Sequence, residues 1–387
     1  MTAPRVVLHI NYGPYHLARL RALARVLPGV EAIAIAGQAR VMSWGRWAPA
    51  QGSRGGSGMQ VHTLFDGALE EIAPRRQLQQ VIRRLEELRP ASVLVPGYGF
   101  AVMRGVARWA RRNGVPCVTC ADTTWGDRPR LRIREALKGR WCRRHFDAVH
   151  VAGERAAAYF ARLGFPQGRI WRGYDVVDND HFANGAQAAR SDASRTRARH
   201  ALPERYFLTV ARLSPEKNLS RLLEAWAHYK RLGGEWDLVI VGEGPRRREL
   251  ETHIAVHGLS HIHLPGTKDY DDLPAVYGLA SCLVFPSLSE TWGLVVNEAM
   301  ASGLPVVVSR ACGCAPDLCL RGVNGYDFEP TDAEGLARRM LRISRAPEEA
   351  RRDLGEQSRR IIARWTPQTW AMTVADCLTT VESWRDR

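Results

Sequence analysis

Two carboxylates stand apart in PSLSETWGLVVNEAMASGLPVVVS, residues 286–309: Glu290 and Glu298, in a stretch whose other residues read mostly as core. Leu294, Val295, Val296, Ala299, Met300, Leu304 and Val306 to Val308 are apolar, while Pro286, Ser287, Ser289, Gly293, Gly303 and Pro305 punctuate the ends. The pattern predicts a strand ending at Pro286, a loop holding Glu290, and a helix that closes at Gly303. A loop at the carboxyl end of a parallel strand is where doubly wound sheets take ligands. The backbone N–H groups of Trp292, Gly293 and Leu294 would open the helix and offer an anion site. Glu298, one to two turns on, can face the same crevice and accept hydrogen bonds from ribose hydroxyls. The ordinary alternative makes Glu290 a helix cap and Glu298 a solvated acid, and spacing alone leaves both open.

A second loop tips the balance. TVARLSPEKNLSRLLEAW, residues 209–226, reads as strand, loop and helix, with Arg212 and Lys217 in the loop. Both cations then sit at a strand's carboxyl end. Arg offers a rigid donor fork and Lys a mobile point charge, a pair suited to a diphosphate. Two anion-binding elements and two acids for hydroxyls together describe a nucleotide sugar.

These loops need sheets to hold them. In the first half RVVLHIN (5–11), VEAIAIAG (30–37), ASVLVPG (91–97), PCVTCAD (116–122) and DAVHVAG (147–153) read as buried parallel strands, with helical spacing between them. YFLTVAR (206–212), WDLVIVGEG (236–244), HIHLPG (261–266), SCLVFPS (281–287) and LPVVVSR (304–310) repeat the scheme. The expected fold class is α/β, two doubly wound Rossmann-like domains facing across a cleft. The expected boundaries are 1–183 for an acceptor-binding domain, 184–203 for a polar, Ala- and Arg-rich linker, and 204–366 for a nucleotide-sugar domain. A helix at about 367–387 can pack back onto the first. GSRGGSG (52–58) reads as a mobile surface loop, since no strand precedes it to make a phosphate cradle.

The net charge of +15 is unevenly placed: 32 Lys and Arg face 16 Asp and Glu up to residue 204, and 23 face 24 thereafter. An Arg-favouring codon bias would explain many arginines but not that asymmetry. A field of this sign attracts anionic partners. WGDRPRLRIREALKGRWCRRHF (125–146) interleaves basic residues with Trp125, Leu131, Ile133, Leu137, Trp141 and Phe146, as a segment lying on an anionic membrane surface would. A solvated helix face with an ordinary core stripe is the plainer reading. Nucleic acid ranks lower because no recognition motif accompanies the charge. No apolar run reaches membrane-spanning length and the N-terminal residues do not resemble a secretory signal, so a cytoplasmic protein, peripheral at the inner face of the plasma membrane, is expected.

ARLSPEKN (211–218), VGEGP (241–245), YGLASCLVFPSLSETWGLVVNEAMASGLPVV (277–307) and CGCAPDLCLRGVNGYDFEPTDAEGLARRM (312–340) resemble the retaining glycosyltransferases of family 4, which have the GT-B fold. The resemblance implies that Arg212 and Lys217 stabilise the leaving diphosphate and that Glu290 contacts the transferred sugar. Glu298 would hold the ribose, and the Trp292, Gly293 and Leu294 amides the sugar or distal phosphate. INYGPYH (10–16) matches the family's Gly-containing loop after the first strand, so Gly13 would approach the phosphates and His16 the acceptor or sugar. Where family members often carry His, VTCADTTW places Asp122. The resemblance further implies retention, no cofactor, no metal, and a glycan or lipid-linked acceptor in envelope polysaccharide synthesis.

Other signals lead elsewhere. Cys117 and Cys120 lie within one strand and point to opposite faces, which does not suit zinc. KDYDDL (268–273) precedes an apolar helix and reads as an N-cap. GEGPRRRE carries Arg247 where a dinucleotide fingerprint needs its third Gly. Two other functions fit the same elements: a nucleotide-sugar epimerase, and a basic non-catalytic binding protein with a vestigial donor site. The first would turn over donor without acceptor; the second would bind its partner equally well after Glu290→Ala.

Overall fold

Runs of Val, Ile and Leu with few polar interruptions form strands buried on both faces, as parallel sheets between helical layers require. In the computed structural model, which describes residues 3–38 and 61–384, the chain divides into two compact units. The glycine-rich stretch 52–58 lies outside the described residues.

The first unit comprises the described residues up to Trp125, Pro129–Asp178 and those from Thr366 onward. Its strands are β1 (Arg5–His9), β2 (Val30–Gln38), β3 (Val61–Ala68), β4 (Ser92–Pro96), β5 (Cys117–Ala121), β6 (Ala148–Val151) and β7 (Ile170–Arg172). They lie in the order β3-β2-β1-β4-β5-β6-β7, every pair parallel. Val6, Leu8, Ile33, Ile35, Val93, Val95, Val149 and Val151 meet helical Val102, Met103, Val106 and Phe160 in one core. The helix Pro367–Ser383 belongs to this unit, capped by Thr366 and burying Trp370, Val374, Leu378 and Val381. Its Glu382 pairs with Arg5 at 2.7 Å and accepts from Ser92 at 2.6 Å, and Thr373 meets His150 at 2.9 Å.

The second unit comprises Gly126–Arg128 and Asn179–Trp365. Its strands are β8 (Tyr206–Val210), β9 (Asp237–Val241), β10 (Ile262–Gly266), β11 (Cys282–Phe285), β12 (Val306–Ser309) and β13 (Gly325–Phe328). Their order is β10-β9-β8-β11-β12-β13, again all parallel. Both sheets thus reverse direction of winding once, between β1 and β4 and between β8 and β11, and a doubly wound sheet binds ligands beyond the strand ends at such a reversal.

Residues 184–203 are not an irregular linker. They fall largely within two helices of the second unit, Asn179–Ser191 and Ala193–His200. The polar composition conceals a stripe of Phe182, Ala186 and Ala189, all buried. The helix Leu273–Leu279 packs close to this stripe: a Cβ on Gly278 would stand 2.7 Å from the Ala186 Cα. Asp272 takes the N-cap position of that helix but caps nothing with its side chain, which instead meets Arg199 at 3.3 Å. No helix among the described residues is long and apolar enough to cross a membrane.

Candidate functional site

The loops after β8 and β11, which flank the reversal in the second sheet, hold the cations and the first acid. Leu288 N–H donates to the Glu216 carbonyl at 2.8 Å, binding one loop to the other. The Lys217 ammonium forms a partly exposed ion pair with the Glu290 carboxylate and lies 5.6 Å from the centre of the Phe285 ring. Arg212 is exposed and makes no side-chain hydrogen bond or ion pair among the described residues. The Ser214 hydroxyl, with help from Lys217 and Arg212 and against the effect of burial, holds the Glu216 carboxyl below its ordinary range. The cationic charge of this loop therefore already acts on a nearby anion.

Glu290 caps no helix. The helix Leu294–Ala301 has Gly293 at its N-cap with no side-chain cap, and no backbone carbonyl among the described residues accepts from Trp292, Gly293 or Leu294 N–H. Gly293 sits at φ +109°, a conformation that a side chain would strain, and a Cβ there would stand 2.9 Å from the Phe285 ring. The result is a helix start whose first amides have no backbone acceptor among the described residues, two to four residues after the Glu290 that pairs with Lys217. Trp292 is buried, its indole N–H donating to Asn297 at 2.9 Å, and this fixes the loop from below.

Glu298 is not solvated either. Its side chain is buried and accepts the Tyr277 hydroxyl at 2.7 Å. A buried carboxylate needs hydrogen-bond donors, and the phenol supplies one while orienting the group.

Four residues to which sequence reading gave no role bear on these loops. Asn218, at φ +58°, donates through Nδ2 to the Pro286 carbonyl at 3.0 Å and the Pro330 carbonyl at 2.8 Å, tying three segments together. Gly313 N–H donates to the Glu290 carbonyl at 2.9 Å, and Cys314 N–H to the Trp292 carbonyl at 3.2 Å. Ser287, at the end of β11, keeps a buried hydroxyl with no partner among the described residues, a polar group left for something else to satisfy. Asn at a left-handed position and Ser directly after a strand are signals the sequence did carry.

In the first unit the structure brings together Gly13 and His16. Gly13 is the N-cap of Pro14–Val26, and its N–H donates to His16 Nδ1 at 3.1 Å. That amide is therefore already engaged, and the His16 proton resides on Nε2. Burial, then neighbouring His9 and Arg19, depress the His16 imidazole well below its usual range, so it stays neutral. His9, buried beside it with ring centres 4.3 Å apart, is pushed down to about 3 by burial and by Arg19. Asp122 lies half-buried beyond β5, near enough to Tyr174 to help raise its phenol after burial has done most. Of the sequence-predicted residues, the structure brings Lys217 and Glu290 together, with Arg212 in the loop of Lys217 and Trp292, Gly293 and Leu294 following Glu290; Glu298 lies in the helix beyond, against Tyr277, and Gly13, His16 and Asp122 lie in the first unit.

Residues 191–361 match the model of the family described as glycosyl transferases group 1. The chain is 33% identical over 195 residues to the sulfoquinovosyl transferase SQD2 of Arabidopsis thaliana, covering 49% of this chain and 36% of that protein. It is 31% identical over 172 residues to the 2-deoxystreptamine glucosyltransferase of Streptomyces kanamyceticus, covering 43% of each. The matches thus span about a third to a half of these relatives. Among solved structures, Anabaena HepE in complex with UDP and glucose superposes with a TM-score of 0.75 at 17% identity, covering 98% of this chain and 100% of that one. The lipopolysaccharide glycosyltransferase WaaG superposes with a TM-score of 0.64 at 16% identity, covering 97% and 99%. These superpositions show the GT-B fold.

Proposed function

We propose that the chain, whose residues 191–361 match the glycosyl transferases group 1 family, transfers a sugar from a nucleotide-diphospho-sugar to a glycan or lipid-linked acceptor, with retention of configuration. The observation that carries the reading is the meeting of Lys217 and Glu290 from two different loops at the sheet reversal. In that arrangement Lys217 and Arg212 hold the diphosphate. Negative charge grows on it as the glycosidic bond breaks, so the cations favour the transition state over the ground state. The amides of Trp292, Gly293 and Leu294, which have no backbone acceptor among the described residues, add fixed donors for the sugar or distal phosphate. Glu290, once Lys217 turns to the phosphates, accepts hydroxyls of the sugar. Glu298, oriented by Tyr277, accepts those of the ribose. In the first unit His16 presents Nε2–H to the acceptor or sugar, and Asp122 is its acidic counterpart. Arg212 and Lys217 supply the positive charge, so no metal or cofactor is required.

Relatives support the acceptor class. Matches include proteins named for amylovoran biosynthesis in Erwinia amylovora and, putatively, for colanic acid biosynthesis in Salmonella typhimurium.

A thermal-shift panel of UDP, GDP, ADP, CMP and dTDP tests the donor class. A ligand at about 100 times its Kd adds about 2.7 kcal/mol, which raises the melting temperature by about 5–10 °C for a unit of this size. One nucleoside diphosphate is expected to give that shift with EDTA present, and Arg212→Ala to lose most of it. No shift with any of the five would sink the reading in favour of a non-catalytic binding protein.

A further inference from the structure

The first unit presents a basic surface that the proposed donor site does not use. Helices Ala101–Arg112 and Arg132–His145 flank an open recess of about 400 Å³ lined by Arg108, Arg111, Arg112, Arg140 and Arg144 together with Leu137, Trp141 and His145. No carboxylate lines it, and none of the five arginines has a carboxylate within 4 Å among the described residues. The one acid of the two helices, Glu135, is turned inward. It is buried, with Lys138 at 2.6 Å and Arg130 at 3.3 Å, and it accepts the Tyr159 hydroxyl. The outer surface is thus stripped of compensating charge.

Apolar side chains accompany these cations without burial. Leu131 is 61% exposed, Ile133 77% and Leu137 65%, three of the most exposed large aliphatics among the described residues, and all within seven positions. Ile133, Leu137 and Trp141 recur at four-residue spacing and so share one stripe of the helix. Trp141 is half-buried and stacked on His145 with ring centres 4.4 Å apart, which holds an amphipathic ring at the wall of the recess. A soluble helix with its core face already packed gains nothing from leaving Ile and Leu in water. A free phosphate or nucleic acid would use the arginines but not the aliphatics.

We propose that this face docks on a bilayer of anionic phospholipid: Leu131, Ile133 and Leu137 enter the acyl boundary, and the arginine-lined recess takes lipid phosphate groups. Charge complementarity and the adjoining exposed aliphatic stripe both fit that occupant. The docking is independent of whether the second unit transfers a sugar, because it is read without a donor.

Vesicle co-sedimentation of the full chain tests it, using phosphatidylcholine alone and equal parts phosphatidylcholine and phosphatidylglycerol. The protein is expected to sediment with the anionic vesicles only. Ile133→Ser with Leu137→Ser, and separately Arg140→Gln with Arg144→Gln, should each weaken that binding about tenfold at unchanged melting temperature. Both pairs are exposed, so folding is not at stake. Binding to heparin should fall in the arginine variant and persist in the aliphatic one. Equal sedimentation with neutral vesicles would overturn the proposal. So would anionic-vesicle binding that is indifferent to the aliphatic pair, which would make the face a general polyanion site.

Discussion

Lys217→Ala is expected to lower turnover by about 100- to 1000-fold, the loss seen when one preorganised donor to developing charge is removed. The melting temperature should hardly move, because Lys217 is near the surface and a partly exposed ion pair contributes about 1 kcal/mol or less. The partner acid separates this role from simple charge pairing. If Glu290 touches the sugar, Glu290→Ala should also cut turnover by about 100-fold or more while leaving the affinity for the bare nucleoside diphosphate close to wild type. If Glu290 served only to hold Lys217 in place, its removal would weaken diphosphate binding and the two variants would look alike. Steady-state transfer kinetics beside calorimetric titration of the diphosphate tell these outcomes apart.

Gly313→Ala should disable the same site from a distance. A Cβ there would stand 1.7 Å from the Thr291 carbonyl oxygen, 2.6 Å from its carbon and 3.2 Å from Trp292 N. All three are backbone atoms, so no side-chain rotation relieves the overlap. The two loops must part, and the bonds from Gly313 and Cys314 N–H to the Glu290 and Trp292 carbonyls go with them. Overpacking of this kind costs about 1–3 kcal/mol before those bonds are counted. A fall in melting temperature of about 5–10 °C follows, and the loop that carries Glu290 and the open amides loses its shape. Diphosphate affinity should drop by about tenfold or more. A Gly313→Ala protein that binds the diphosphate like wild type would show that this contact does not set the site.

The central strands of both sheets were legible because a strand covered on both faces must be apolar throughout, as in RVVLH and CLVF. The strands that escaped notice are β3, β7 and β13, three of the four strands at the sheet edges. VHTLFDGA is covered unevenly and shows neither a clean alternation nor an apolar run, while IWR and GYDF are too short to carry a period. The segment 184–203 misled for the opposite reason, since alanine buries a helix face without looking hydrophobic beside four arginines and a histidine.

For the candidate site, residue type and position relative to a strand end were enough to pick out Arg212, Lys217, Glu290 and Glu298. Their environment was not legible. That Glu298 would be buried against Tyr277, twenty-one residues earlier, depends on how two helices pack. The engagement of Gly13 N–H by His16 depends on a ring orientation that no pattern encodes. The closeness of Gly313 to Thr291 is likewise a meeting of two loops, visible only once β11 and β12 are side by side.

The claim that Arg212 and Lys217 hold a diphosphate is tested most directly by titrating the preferred nucleoside diphosphate and its monophosphate into the wild type, Arg212→Ala and Lys217→Ala. Charge-assisted hydrogen bonds contribute about 1.5–3 kcal/mol each, so the wild type should bind the diphosphate at least about tenfold tighter. Each substitution should bring the two affinities together. A monophosphate that binds the wild type as tightly as the diphosphate, or a diphosphate preference that survives both substitutions, would contradict the account.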